Sequence, residues 1–194
     1  MKSIFIFILL LLTISASAQK KKTYFSAWTF QQKNANIYGL SVGLWNFAEN
    51  PKRTTSNGLR LSLIGEGILV AWMPASPIPA NDSAFLESKK EPYSERINGL
   101  NISGTGTAGA YDINGISIGV VGHAVKRVNG ISVSTLNFAL QHNGIQLGIF
   151  VNESYKMRGI QLGAFNKSSR TKGIQIGFWN VNEKRKLPLI NWNF

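Results

Sequence analysis

Gly144-Ile145-Gln146-Leu147-Gly148, Gly159-Ile160-Gln161-Leu162-Gly163 and Gly173-Ile174-Gln175-Ile176-Gly177 state one phrase three times, and its reading decides the fold. Glycine is followed by an aliphatic residue, a polar residue, a second aliphatic residue and a small residue. Looser copies begin at Gly39, Gly58, Gly99, Gly115 and Gly130, and the later copies are 14 to 16 residues apart. Alternation of apolar and polar residues is the period-2 signature of a strand, and no helical stripe competes with it. Repetition of the phrase along the chain means a repeated β architecture in one domain.

Strands are expected near 24–30, 37–46, 58–73, 97–105, 113–121, 128–136, 144–151, 159–166, 173–180 and 187–194. That makes ten if the third, through Gly65-Glu66-Gly67, is one bulged strand rather than a hairpin. Two arrangements compete. In a parallel β-solenoid, each segment between phrases must return to the starting edge and cover the core. Lys167-Ser168-Ser169-Arg170-Thr171-Lys172 and Val181-Asn182-Glu183-Lys184-Arg185-Lys186 offer almost nothing to bury, so they read as polar turns. The expected fold is therefore all-β, an antiparallel up-and-down meander closing into a small β-barrel of about ten strands, with the solenoid as alternative. Pro74 to Glu95 carries four prolines and no strand pattern, and is expected as a long loop over 74–95.

Lys2, the apolar run Ile4 to Leu12 and the small residues of Ala16-Ser17-Ala18 have the layout of a secretory signal peptide over 1–18, leaving 19–194 as a single β-repeat domain. The run is shorter than the roughly 20 apolar residues of a spanning helix. The chain has no cysteine, so it has no disulfide framework and no site for lipid acylation. Its formal charge is +12, gathered in short runs such as Lys126-Arg127 and Lys184-Arg185-Lys186. Export argues against nucleic acid as the partner, and the runs read as turns able to approach acidic lipid headgroups or a surface glycan.

One strand face shows Ile145, Leu147, Ile149, Ile160, Leu162, Ala164, Ile174, Ile176 and Phe178. In water this face would turn inward. In an outer membrane it would meet lipid, and the glutamines would line a narrow lumen. Strands nearly free of charge favour the membrane, with outer-membrane lipid as partner. So does the ending Ile190-Asn191-Trp192-Asn193-Phe194, which resembles the C-terminal assembly signal of outer-membrane barrels. That resemblance implies Ile190, Trp192 and Phe194 as signal residues and the barrel-assembly machinery as partner. Trp45, Trp179 and Trp192 lie near strand ends, as interface aromatics do. Asn46, Asn137, Asn166 and Asn180 suit the entries to turns.

The phrases beginning at Gly144, Gly159 and Gly173 also resemble the glycine-hydrophobic-glutamine-hydrophobic-glycine surface-repeat proteins of bacteria. The resemblance spans Gly39 to Asn180 and implies placement at the cell surface or outer membrane, without implying any active-site residue. Some members of that group look lipid-anchored, and the missing cysteine departs from them.

No catalytic constellation stands out. His123 and His142 read as solvated turn residues, Ser117, Ser132 and Ser134 follow the small-and-polar repeat rule, and no His-acid cluster has metal-ligand spacing. Gly104 to Gly109 superficially matches a phosphate-binding glycine loop, but no helix pattern follows it. The chain is therefore read as a non-enzyme without cofactor or metal: a small outer-membrane or cell-surface barrel with a structural, binding or adhesion role through its loops. The alternative is a soluble exported β-domain, periplasmic or secreted, that binds a lipid or glycan. An outer-membrane enzyme comes last.

Overall fold

Each phrase-opening glycine sits directly against the one before it. A computed structural model describes residues 21–46 and 52–194. In it a Cβ placed on Gly144 would lie 2.1 Å from the Gly130 carbonyl oxygen, and one on Gly159 would lie 2.1 Å from that of Gly144. Gly144 also has φ +127°, a conformation open to glycine and strained for other residues. The column of glycines is thus a line of backbone-on-backbone contact between successive turns, and this is why the phrase must open on glycine.

Eight strands form one sheet in sequence order: β1 (Lys22–Thr29), β2 (Ala35–Asn46), β3 (Thr54–Gly65), β4 (Glu95–Ser103), β5 (Gly106–Gly119), β6 (Gly122–Leu162), β7 (Phe165–Val181) and β8 (Lys186–Asn193). Pairing is parallel from β1 through β7, phrase upon phrase: Gly39 faces Gly58, Gly58 faces Gly99, Gly99 faces Gly115 and Gly115 faces Gly130. β6 alone contains the phrases at Gly130, Gly144 and Gly159, so this one long strand stacks on itself turn after turn. Only β8 runs antiparallel, against β7, with Ile176 opposite Ile190 and Ile174 opposite Trp192.

The expected antiparallel meander closing into a barrel is therefore corrected. The protein is mostly β, but its sheet is mixed, largely parallel and not closed. The strands wind as an in-register coil. The return wall of this coil is polar, not apolar, in its last parallel turn. Lys167 to Lys172 belongs to β7, pairs in register with the turn before it (Ser154 with Ser168, Met157 with Thr171), and buries Ser168 and Thr171.

A polar wall suffices because much of the interior is polar. The central residues of the phrases, Ser41, Arg60, Asn101, Ser117, Ser132, Gln146, Gln161 and Gln175, are all buried, and the flanking aliphatic residues point outward. Amides stack into ladders that satisfy themselves. Gln161 Nε2 donates to Gln146 Oε1 at 2.9 Å, Gln175 Nε2 to Gln161 Oε1 at 2.7 Å, and Asn191 Nδ2 to Gln175 Oε1 at 3.2 Å. Identical amides at one-strand spacing pair well in parallel, in-register stacks. Apolar packing is confined to patches such as Ile97, Tyr111, Ile113, Val125, Val128 and Ala139, contributed largely by the return wall.

The recurring asparagines are part of the same scheme. Asn166 Nδ2 donates to Asn180 Oδ1 at 2.8 Å and to the Ile176 carbonyl at 2.9 Å, and Asn152 does likewise to Asn166 and Leu162. Asn137, Asn166 and Asn180, expected at the entries to turns, lie instead within β6 and β7 as buried side chains bonded to the neighbouring segment; the Asn46 side chain lies outside the described residues. The signal peptide expected over 1–18 also lies outside them.

The strand expected through Gly65-Glu66-Gly67 is broken. β3 stops at Gly65, and a 3-10 helix, Glu66–Trp72, follows. A Cβ on Gly67 would lie 2.3 Å from the Gly106 carbonyl carbon and 2.4 Å from the Gly122 oxygen, so the glycine lets the helix rest on the coil's backbone. The excursion from Pro74 carries one short helix, α1 (Asp82–Lys90), whose Asn81 side chain caps the Ala84 N–H at 2.9 Å. α1 buries one side chain, and its Asp82 accepts from Tyr155 and Arg170. Buried Phe85 stacks on Tyr155 with ring centres 4.3 Å apart.

Candidate functional site

Among the described residues, the outward aliphatic side chains form an extended exposed face. In every turn it takes the first, third and fifth residues after the opening glycine, for example Ile145, Leu147 and Ile149, and none of these positions carries a charge. β8 extends the face with Ile190 and Trp192. Ile149 is 69%, Phe178 75% and Phe194 83% exposed. At about 4.8 Å per strand, nine turns and strands give a length near 40 Å, and thus an apolar area above the few hundred Å² usual on a soluble monomer.

The face is furrowed. Where the small fifth residue of the phrase falls, the outer rows part and leave two shallow grooves. One is about 470 Å³, floored by Gly163, Ala164 and Gly177 between Ile149, Ile176, Phe178, Leu189 and Ile190. The other is about 430 Å³ and runs along Gly43 and Ser62 between Val42, Leu44, Leu61 and Leu63.

Different chemistry marks the two edges of this face. One edge is a row of large apolar residues that includes Trp45, Ile64, Phe150, Phe165 and Trp179, all exposed. The opposite edge, just before the glycine column, is polar. It carries Asn57, Asn98, Asn114, Asn129 and Asn143, joined head to tail by hydrogen bonds of 2.7 to 2.9 Å, and then Arg158 and Lys172. Trp192 sits outward on β8, and Arg185 lies over its ring at 4.6 Å. Ile190, Trp192 and Phe194, the residues implied as an assembly signal, are thus brought together on the outer face, with Asn191 between them buried.

The titratable groups that sequence reasoning placed in water are inside. His123 and His142 are buried, which corrects their reading as solvated turn residues. Thr107 N–H donates to His123 Nδ1 at 3.2 Å, so the proton of the neutral ring sits on Nε2 and is aimed at Ser117 Oγ, 3.3 Å away. His142 Nε2 lies 2.9 Å from Ser132 Oγ, and its Nδ1 is buried without a partner. Burial pushes His123 down to about 4 and His142 down to about 3, the latter helped by the charge of His123. Two Ser–His pairs therefore exist, but neither has an orienting carboxylate or an opening to substrate.

Arg60 is also fully buried. Its guanidinium forks onto Glu95 at 2.9 and 3.1 Å, donates to Asn101 Oδ1 at 3.0 Å, and lies 3.9 Å from the Phe30 ring centre. Burial opposes its charge, yet Glu95 and Tyr111 hold its pKa above the ordinary value. Nothing in the sequence flags Arg60 except that it occupies a central phrase position held elsewhere by Ser, Asn or Gln. Lys126-Arg127, read as a turn, lies within β6. Arg127 reaches Asp112 at 2.6 Å, and Asp112 also accepts from Arg96 at 2.9 Å. Lys184-Arg185-Lys186 does reach a turn, where Asn182 Oδ1 accepts from the Lys184 and Arg185 N–H groups at 2.9 and 2.8 Å.

Beneath the excursion is a cavity of about 380 Å³ between Pro77, Ile78 and Glu91 on one side and Ala110, Val125, Lys126, Phe138 and Leu140 on the other. Lys126 Nζ donates there to the Glu91 carbonyl, and burial lowers its pKa. Among the described residues, no group of His, Cys, Asp or Glu is placed to hold a metal ion. No helix among the described residues is long and apolar enough to cross a membrane. Comparison with known proteins gives no match to a family model, a curated protein or a solved structure.

Proposed function

We propose that this chain is an exported β protein of the bacterial envelope that lies on a lipid leaflet by its outer aliphatic face and serves a structural or binding role there. The single observation that carries the proposal is an uncharged, furrowed apolar face repeated over every turn. The composition supports the same partner. A net charge of +12 draws the molecule to an acidic surface, and cations edge the face without entering it. Aromatic residues along the other edge suit the headgroup level of a leaflet. The likeness to bacterial surface-repeat proteins gives the same placement. This is the lipid-binding alternative of the sequence reading, freed from the barrel.

Flotation with vesicles tests it. The chain from residue 19 onward is mixed with vesicles containing one-third anionic lipid, and floated fractions are compared with those of Ile149→Ser/Phe178→Ser. The expected result is co-flotation of the unaltered chain and at least a tenfold loss in the double variant. Equal, weak flotation of both, with the unaltered chain dimeric in vesicle-free solution, would overturn the proposal and give the face to a second copy.

A further inference from the structure

The asparagine edge breaks its own rule in the last two turns. From Asn57 to Asn143 each amide donates to the previous one, giving a neutral stack. The next two positions are Arg158 and Lys172, directly opposite each other on β6 and β7. Two residues earlier on the same face, Lys156 is opposite Arg170. Met157 and Thr171, between them, point inward and are buried, so all four cations project from one side. Like charges directly opposite on paired strands destabilise a sheet. The repeat already supplies a neutral, hydrogen-bonded alternative here, so folding does not require the cations.

A hollow of about 310 Å³ opens over this quartet, bordered by Glu183, Asn193 and Phe194. The charges are unevenly used. Arg170 is paired with Asp82, and Lys156 lies 4.9 Å from the Phe85 ring centre. Arg158 and Lys172 have no acidic partner among the described residues. Glu183 is the one carboxylate side chain in the hollow, and its oxygens accept from the Thr171 N–H at 2.9 Å and Asn193 Nδ2 at 2.6 Å. With a strand spacing near 4.8 Å and about 6.7 Å between alternate residues, the four side-chain roots frame a rectangle that a single tetrahedral oxyanion can bridge. A guanidinium fork and an ammonium are the usual ligands of a phosphate group.

We infer that Lys156, Arg158, Arg170 and Lys172 form a binding site for a phosphate monoester, with Arg158 and Lys172 as its principal ligands. The phosphate belongs either to a lipid headgroup or to a soluble phosphate ester, and the site stands whether or not the aliphatic face meets lipid.

The test uses Arg158→Asn/Lys172→Asn, which extends the amide stack by two members and so does not endanger folding. In one arm, thermal unfolding is followed with and without 10 mM inorganic phosphate against chloride of equal ionic strength. The unaltered chain is expected to gain several degrees with phosphate and the double variant none, while without phosphate the variant is at least as stable. In the second arm, neutral vesicles are compared with vesicles doped with phosphatidic acid. The doping should raise flotation of the unaltered chain several-fold and leave the variant unchanged. A response in the first arm marks a site open to soluble phosphate esters; a response confined to the second marks a headgroup site. Equal responses of the two proteins in both arms, or none in either, overturn the site. Loss of flotation by Ile149→Ser/Phe178→Ser with its phosphate response intact would leave this site standing apart from the lipid face.

Discussion

Gln161 and Leu162 are neighbours with opposite fates. Gln161 is fully buried with both ends of its amide engaged, and Leu162 is half-buried on the outer face. In water, Gln161→Lys puts an ammonium into the ladder and strands two amide partners, and should cost more than about 3 kcal/mol. Leu162→Arg should cost below about 1 kcal/mol, because the long side chain extends into solvent. Urea unfolding of the two variants decides the matter, and equal midpoints would refute this facing. The period-2 alternation was plain in the sequence, but the direction of each face was not. Burial of apolar residues is a one-way tendency, and a stack of identical amides can fill a narrow interior just as well. The histidines were misplaced for the same reason. Their folded pKa values are lowered, so above about pH 6.5 both rings are neutral folded or unfolded and contribute no pH dependence. Below that, the unfolded chain takes up protons that the folded interior refuses. Stability therefore falls with acid from about pH 6.5 towards the folded values of about 4 and 3. Between pH 6.5 and 5, where carboxylates contribute little, the urea midpoint should drop, and His123→Asn/His142→Asn should remove most of that slope.

At the scale of elements, the observed β1, β2, β4 and β8 start and stop within about two residues of expectation, whereas β3 stops early, β5 starts early, and β6 and β7 run through segments expected as turns. Three features were hidden. The parallel direction of pairing depends on where polar return segments go, and Lys167 to Lys172 looks the same as a turn or as a wall. The break at Gly65-Glu66-Gly67 depends on contact with Gly106 and Gly122, far along the chain. And α1 has no marked apolar stripe to announce it, only Phe85 turned inward. That single buried side chain makes a sharp prediction. Phe85→Ala should lose the Tyr155 stack and free the excursion, so trypsin should cut at Lys89 or Lys90 at least tenfold faster, with the turns from Gly115 onward still resistant. An unchanged cutting rate would mean that the Asp82 contacts to Tyr155 and Arg170 hold α1 without help from the ring.

For the whole molecule, the repeat announced one continuous β domain, and its phrases stack glycine on glycine from Gly99 to Gly173, with one register shift between Gly109 and Asp112. The candidate lipid face was legible as a list of residues, whereas its breadth came only from stacking those lists side by side. The two ends of that stack differ. Among the described residues β1 pairs only with β2, in parallel, whereas β8 reverses direction and covers β7. A parallel, in-register coil has no internal reason to stop, since its last turn offers the same template as every turn before it. By turning back on itself, β8 ends that parallel template. Without it, the bare last turn of one molecule matches the open first turn of the next, a head-to-tail contact that never closes into a ring. Truncation after Asn182 should therefore convert a discrete particle into a growing filament, with light scattering that rises with concentration and is suppressed by adding the missing segment as a peptide.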